Sequence, residues 1–282
     1  LVDYTALPEQ VVDAVIQSAF RSAGQRCSAL RLLCVQDSIA DQVLEMLSGA
    51  MQLLCVGDPA DLATDVGPLI DDDAYKHVLS HVERLKRDAR LICEVTLDSS
   101  MLNTPGHRFI APVAFQIEHI SQLGAEIFGP VLQVVRWTGE PEAVIAQINA
   151  LGYGLTMGIQ SRIDSRALRL AAAARVGNIY VNRNMIGAVV GVQPFGGEGL
   201  SGTGPKAGGP WYLRRFVSSA AEHAGDDCVT VIQQRVQQAQ TEFAVLALPG
   251  PTGESNELRR RGRGLILLVG AEASAVTETE SD

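Results

Sequence analysis

Hydrophobic residues recur alternately at helical and at strand spacing from residue 8 to about residue 182. Val11, Val15 and Ala19 belong to a set that predicts a helix over 8–21, with Pro8 in its first turn. The same patterns predict helices over 71–87, 141–150 and 165–174, and strands over 32–36, 91–95, 107–117, 131–137, 155–160 and 177–181. Helices that alternate with strands indicate crossover connections and an α/β fold with a largely parallel sheet.

Breaks in this pattern predict the connections. Gly24 interrupts the first helical pattern as a left-handed cap would, and Asp37 is expected to cap a helix that carries Ile39, Val43 and Leu47. Glycines and prolines crowd the segment 183–210, which predicts a long shaped loop, and such loops are usually functional. Beyond residue 225 we expect a helix or strand pair up to 248, a Pro/Gly segment, a strand over 264–269 and a polar tail.

Composition excludes several classes of protein. The formal net charge of −9 argues against a nucleic-acid-binding surface, and the run Arg259, Arg260, Arg261 and Arg263 is interpreted as a solvated loop. No stretch reaches the ~18 apolar residues that a membrane span requires. The N-terminus lacks the features of a signal peptide. Because residue 1 is not Met, we expect the chain to begin within a longer protein.

Cysteine usage raises the first chemical hypothesis. Five cysteines, at positions 27, 34, 55, 93 and 228, form no CxxC pair, and their odd number favours a reducing compartment. Cys27 lies on the predicted connection between a helix and a strand, where a side chain can face a cleft. A thiolate there could attack a carbonyl carbon. A lone cysteine is more often a small buried hydrophobe, so position alone leaves both alternatives open.

Two other patterns resemble ligand motifs but lack the context that these motifs require. Gly197, Gly199 and Gly202 satisfy GxGxxG, but prolines and glycines follow, so no helix can open there and a dinucleotide fingerprint is rejected. His77 and His81 lie four residues apart on a predicted helix, which is metal-ligand spacing, but without the Glu of a zinc protease. We interpret the pair as part of a solvated helix face, and we expect no metal site.

Four segments resemble a known family in order and spacing. GQRCSALR, residues 24–31, resembles the catalytic-cysteine signature of the aldehyde dehydrogenase superfamily, and EIFGPVL from Glu126 and YGLTMGI from Tyr153 agree with it. The long segment from Asn182 to Pro210 resembles one branch: the L-glutamate γ-semialdehyde (1-pyrroline-5-carboxylate) dehydrogenase module of proline utilisation A (PutA). ALPGPTGESNEL, from Ala247, is similar to the segment that follows this module.

The resemblance implies a mechanism for Cys27. Its thiolate would add to the aldehyde carbon, hydride would leave the resulting thiohemiacetal for NAD+, and the thioester would be hydrolysed. The backbone N–H of Cys27 is one candidate donor to the oxyanion. The family's second donor, an Asn, and its general-base Glu are expected to lie before residue 1. Glu9 is not assigned as the base, because an acid in the first turn of a helix serves the helix dipole.

The resemblance also implies cofactor and substrate contacts. Glu126 and Phe128 match the family's nicotinamide-side residues, the Glu accepting from ribose hydroxyls and the Phe lying near the ring. The remaining matches are in the loop over 182–210, where glycines let backbone donors approach an anion. The backbone N–H groups of Gly187 and Ala188 and the hydroxyl of Ser201 would hold the substrate α-carboxylate. Phe195 would line the apolar part of the tunnel.

Taken together, the resemblance implies a catalytic domain over 1–222, with an oligomerisation return segment, and the start of a PutA-like C-terminal region over 223–282. Most of the separate Rossmann NAD-binding domain is expected to be missing. The implied activity is NAD-dependent oxidation of L-glutamate γ-semialdehyde to L-glutamate in proline catabolism. A homo-oligomer in the cytoplasm is expected, with peripheral membrane association of the parent left open. FAD would belong only to an upstream proline dehydrogenase module. The alternatives are an aldehyde dehydrogenase of another substrate specificity and a catalytically silent fragment that acts only as an assembly module.

Overall fold

The computed structural model describes residues 1–102, 106–217 and 245–262. These residues form the following α-helices: α1 Pro8–Phe20, α2 Asp37–Gln52, α3 Asp72–Asp88, α4 Ser99–Leu102, α5 Pro141–Ala150 and α6 Asp164–Ala173. The strands of the larger sheet are β1 Leu32–Gln36, β2 Arg90–Glu94, β3 Val113–Gln116 and β4 Val131–Trp137. The predicted alternation of helices and strands is therefore confirmed, with most boundaries within one or two residues.

The four-stranded sheet has the order β1-β4-β3-β2. Strands β1 and β3 both run parallel to β4, and β2 pairs antiparallel with β3 at the edge. The central strand β4 is buried except at Arg136, as expected for a strand covered on both faces. Helix α1 contacts both α2 and β4 through its buried face, which includes Val11, Val15 and Ala19. The prediction of a largely parallel sheet is confirmed.

Shorter strand pairs complete the described structure. Strand β5, Tyr153–Gly154, pairs antiparallel with β8, Glu198–Gly199. Strand β6, Thr156–Ile159, pairs parallel with β7, Asn178–Val181. The remaining pair is antiparallel and consists of β9, Leu246–Leu248, and β10, Asn256–Leu258. The predicted Pro/Gly segment lies between β9 and β10.

Two predictions about element boundaries were wrong. The helix cap before α2 is Gln36, and Asp37 is already the first helical residue. Because the chain passes from β1 into α2 without a linker, no residue is left over for a side-chain cap, and Asp37 Oδ1 instead accepts from Arg136 Nε at 2.7 Å. The strand predicted over 107–117 is confined to β3. Its ladder cannot continue through Pro112, which has no N–H to donate.

The chain divides into two compact units. The first comprises Leu1–Gly187 and Gly197–Thr203, and the second comprises Ala188–Gly196 and Gly204–Asp282. The predicted domain boundary near residue 222 and the strand over 264–269 lie outside the described residues, so both stay predictions. No helix in the described part of the chain is long and apolar enough to cross a membrane.

Candidate active site

A strained turn carries Cys27. Helix α1 ends at Phe20, and the next residues form a 3₁₀ turn, Arg21–Gly24, in which Ser22, Ala23 and Gly24 have φ values of 56°, 52° and 65°. The predicted left-handed Gly24 is thus confirmed. A left-handed conformation costs an L-residue about 1–2 kcal/mol, and such strain persists only where the surrounding structure enforces it. We call residues 21–29 the cysteine turn.

Gly24 permits a close approach between the cysteine turn and residues 124–130, which we call the Glu126 loop. A Cβ atom built on Gly24 would lie 2.2 Å from the carbonyl oxygen of Gly129 and 2.9 Å from that of Ala19. Any side chain at this position would therefore push the two segments apart. The cysteine turn and the Glu126 loop can lie this close together because Gly24 has no Cβ atom.

The Cys27 side chain is exposed, whereas those of Cys34 and Cys93 are buried. Burial raises the pKa of the Cys34 thiol to about 11, which makes it unreactive at neutral pH. Cys55 is also exposed, and Cys228 lies outside the described residues. The alternative of a small buried hydrophobe therefore describes Cys34 and Cys93 but not Cys27.

The residues around Cys27 are held by the chain on both sides. The backbone N–H of Ala29 donates to the carbonyl of Arg26 at 3.0 Å, which closes the turn around the thiol. Leu30 N–H donates to the Ser18 carbonyl at 2.9 Å and ties the turn to α1. Thr156 Oγ1, on β6, donates to the carbonyl of Ser28 at 3.3 Å. The thiol is thus presented by a fixed backbone.

Arg31 links the cysteine turn to the Glu126 loop, and the sequence analysis did not assign it a role. Its side chain is only 13% exposed, and its Nε lies 3.8 Å from Glu126 Oε1. Its guanidinium carbon lies 4.9 Å from the centre of the Phe128 ring. Burial lowers the pKa of Arg31, while the charges of Glu126 and Cys27 act in the opposite direction. A charged residue inside GQRCSALR, directly before an apolar strand, was the available signal.

The two predicted cofactor contacts therefore lie together and beside the cysteine turn. Phe128 is 43% exposed, although the Arg31 guanidinium packs against its ring. The Glu126 side chain is 35% exposed and accepts no hydrogen bond within the part of the chain that the structure describes. Both side chains could receive a ligand at their open sides.

The predicted substrate-anchor residues fall in both compact units and are described separately. In the first unit, Gly187 is exposed with φ +71°, and a Cβ atom there would meet nothing within 4 Å. Ser201 Oγ accepts from the backbone N–H of Gly154 at 3.0 Å, which leaves its own O–H free to donate. In the second unit, Ala188 is half-buried, and Phe195 is half-buried and bridges Ala207 through two backbone hydrogen bonds.

The rejected motifs have different outcomes. Within the described residues 203–211, no helix opens after Gly202, so the GxGxxG segment lacks the context of a dinucleotide fingerprint. His77 is exposed as expected, but His81 is buried, so the prediction of a solvated face was wrong for His81. Burial, together with the nearby Arg84 and His77, lowers the pKa of His81 to about 4. The error arose because α3 turns His81 toward its neighbours together with Val78 and Leu85.

Comparison with known proteins now gives the family. A model of the aldehyde dehydrogenase family matches residues 1–221. The chain belongs to the aldehyde dehydrogenase family. It is 43% identical to the bifunctional protein PutA of Escherichia coli (strain K12), over 99% of this chain and 24% of that protein. It is also 36% identical to a 1-pyrroline-5-carboxylate dehydrogenase of Geobacillus sp. (strain WCH70), over 76% of this chain and 41% of that protein.

Solved structures of aldehyde dehydrogenase family members agree. A variant of PutA from Bradyrhizobium japonicum is 54% identical, with a TM-score of 0.72, over 77% of this chain and 22% of that one. A 1-pyrroline-5-carboxylate dehydrogenase from Thermus with bound NAD is 38% identical, with a TM-score of 0.69, over 77% and 41% of the two chains. The resemblance drawn from the sequence motifs is confirmed. The chain spans about a quarter of the length of the PutA proteins that it matches.

Proposed function

We propose that this chain supplies the nucleophile of an NAD-dependent dehydrogenase that oxidises L-glutamate γ-semialdehyde, formed from 1-pyrroline-5-carboxylate, to L-glutamate in proline catabolism. The observation that carries the proposal is the exposed Cys27 thiol on a fixed turn beside the loop that presents Glu126 and Phe128. The similarity to PutA and to 1-pyrroline-5-carboxylate dehydrogenases supports the choice of substrate.

Cys27 would act as the nucleophile. Its sulfur forms a bond to the aldehyde carbon, and the carbonyl oxygen becomes an oxyanion that accepts from the backbone N–H of Cys27. When bound, NAD+ supplies the acceptor for the hydride that leaves this carbon. The thioester left on Cys27 is hydrolysed by water, which releases L-glutamate and restores the thiol. The chain's own task is to hold the sulfur in place through all of these steps.

The residues present fit an NAD nicotinamide riboside. Glu126 has carboxylate oxygens with no hydrogen bond from the described residues, so they are available to ribose hydroxyls. One face of the exposed Phe128 ring is covered by Arg31, and the rest can pack against an aromatic cofactor. We therefore propose Glu126 and Phe128 as the cofactor-binding residues of this chain.

The substrate's α-carboxylate would be held by the backbone N–H groups of Gly187 and Ala188 and by the hydroxyl of Ser201. The positive φ of Gly187 and the open space at its Cα support a close approach by an anion. The O–H of Ser201 is free to donate because its oxygen is the acceptor in the bond from Gly154. Phe195 is proposed as the aromatic residue that lines the apolar part of the substrate tunnel.

The proposed context follows the PutA relatives. The catalytic domain would cover 1–222, the region over 223–282 would begin a PutA-like C-terminal part, and a FAD-dependent proline dehydrogenase module would belong to the same polypeptide. A cytoplasmic homo-oligomer would be the working form. A different aldehyde substrate remains the alternative that the following experiment separates.

The proposal is tested with Cys27→Ser in the complete gene product that contains this chain. We expect NADH formation from L-glutamate γ-semialdehyde to fall at least about 1,000-fold, because no other group takes the place of the missing nucleophile. Cys55→Ser, which alters the other exposed thiol, is the matched control and should keep full activity. If Cys27→Ser retains turnover, Cys27 is not the nucleophile. If the complete gene product oxidises propanal as efficiently as L-glutamate γ-semialdehyde, the proposed substrate is wrong.

A further inference from the structure

Arg31 is a half-buried cation that the proposed chemistry does not use. Its side chain is 13% exposed, and cations are seldom kept at such depth unless they are paired. The carboxylate paired with it, Glu126, is one of the two proposed cofactor contacts, and the aromatic ring against it, Phe128, is the other. The cation therefore touches both of these residues and no other acidic group in the described ion pairs.

The guanidinium also joins two backbone segments. One terminal nitrogen, Nη2, donates to the carbonyl of Arg26 in the cysteine turn at 3.1 Å. The other, Nη1, donates to the carbonyl of Gly129 in the Glu126 loop at 3.4 Å. A planar group with donors on both sides fixes the distance and the angle between two carbonyls in a way that a lysine cannot. The segment with Cys27 and the segment with Glu126 are therefore tied through one side chain.

These contacts restrain the cofactor residues without occupying them. The separation of 3.8 Å between Arg31 Nε and Glu126 Oε1 is too long for a hydrogen bond, so the carboxylate is attracted but keeps its acceptor capacity. The guanidinium covers one part of the Phe128 ring, which remains 43% exposed. Arg31 thus contacts both side chains and leaves part of each one exposed.

We propose that Arg31 is a positioning residue that sets Glu126 and Phe128 in register with Cys27, so that the nicotinamide end of the cofactor meets the thiol. This inference rests on the proposed function. Burial lowers the pKa of Arg31, and the nearby Glu126 and Cys27 partly offset this effect by favouring the charged form of the guanidinium.

The test measures NADH binding by fluorescence in the complete gene product, with Cys27→Ser as the background so that no turnover intervenes. Arg31→Met keeps the length of the side chain and removes its charge and fork. We expect it to weaken NADH binding about tenfold through loss of the pairing and stacking that hold the two contacts. ADP, which lacks the nicotinamide and its ribose, should bind equally well to both forms. Arg31→Lys should be intermediate.

Two further variants separate positioning from general stability. Glu126→Gln should weaken NADH binding in the parent but add less than about twofold in the Arg31→Met background, because coupled residues are not additive. Arg136→Met removes an arginine on β4 that is ion-paired to Asp37 and Asp41 of α2, and it should leave NADH binding unchanged. If Arg31→Met does not fold, Arg31→Lys and its double variant with Glu126→Gln provide the same comparison.

The outcomes also distinguish the inference from the proposed function. Unchanged NADH affinity in Arg31→Met, or equal losses for NADH and ADP, would overturn the positioning role. A gene product that binds NADH but does not oxidise L-glutamate γ-semialdehyde would refute the proposed function and leave the Arg31 comparison intact. A gene product that binds no NADH would overturn both.

Discussion

At the scale of single residues, the candidate active site depends on the backbone between α1 and β1. Ser22 and Ala23 adopt a left-handed conformation without being glycine, and Gly24 completes the turn against the carbonyl of Gly129. Strain of this kind commonly accompanies functional sites, where the surrounding structure enforces it. Here the enforcing structure is the hydrogen bonding on both sides of Cys27, together with the Glu126 loop packed against Gly24.

Gly24→Ala tests this arrangement. A methyl group would lie 2.2 Å from a carbonyl oxygen on a residue with φ +65°, so we expect the free energy of unfolding to fall. The loss should be about 2–4 kcal/mol, measured by urea denaturation, with a parallel drop in NADH formation. Gly49→Ala is the matched control, because Gly49 lies in α2 with nothing within 4 Å of the new Cβ. That change should be neutral or stabilise by up to about 1 kcal/mol. Equal effects at both sites would contradict the steric argument.

At the scale of elements, the helices differ in how they begin. Helix α3 has a side-chain cap, since Asp71 Oδ1 accepts from the backbone N–H of Ala74 at 2.8 Å. Helix α2 follows β1 directly and has no side-chain cap, and its first acidic residue, Asp37, pairs with Arg136 instead. The same residue type thus has different tasks at the starts of two helices.

We expect Asp71→Ala to lower the free energy of unfolding by about 1 kcal/mol through loss of the cap. Asp71→Asn retains the accepting oxygen and should restore most of this stability. Urea denaturation of the three proteins gives the comparison. An Asn variant as unstable as the Ala variant would show that the charge of Asp71, and not its hydrogen bond, stabilises α3.

At the scale of the whole first unit, a buried carboxylate connects distant parts of the chain. Asp3 accepts from Thr5, from Ser161 Oγ at 2.6 Å and from Arg166 at 3.1 Å. Ser161 and Arg166 lie 158 and 163 residues away in sequence, the first just after β6 and the second in α6. The N-terminal segment is therefore anchored by a polar network of residues that are far apart in sequence.

This network makes stability depend on pH. Burial alone would raise the pKa of Asp3, but hydrogen bonds from Ser161, Thr5 and Arg166 outweigh it and hold the pKa below its ordinary value of 3.8. A lowered pKa in the folded state stabilises the fold above pH 3.8, and this contribution is lost as the pH falls through the lower folded value. Asp3→Asn should therefore cost about 3 kcal/mol at pH 7 and progressively less toward pH 3, in urea denaturation at several pH values. A difference that does not change with pH would contradict the linkage.

The sequence alone predicted the regular elements and the family because both depend on local patterns. Hydrophobic spacing located α1, β4 and α5 closely, and the motif around Cys27 indicated the superfamily. Predictions were wrong where contacts with neighbouring residues or segments determine the local structure. Pro112 ended a strand, the junction of β1 with α2 displaced a cap, and α3 buried His81.

The sequence by itself determined the family, and through the resemblance it predicted the roles of Cys27 as nucleophile and of Glu126 and Phe128 as cofactor contacts, which stay predictions. Only the tertiary structure decided which cysteines are exposed, because burial depends on packing between segments distant in sequence. It also decided that Arg31 lies between the cysteine turn and the Glu126 loop, almost 100 residues apart in the chain. No local pattern carries that information, since the contact exists only when parallel strands β1 and β4 pair and bring both loops to one edge of the sheet.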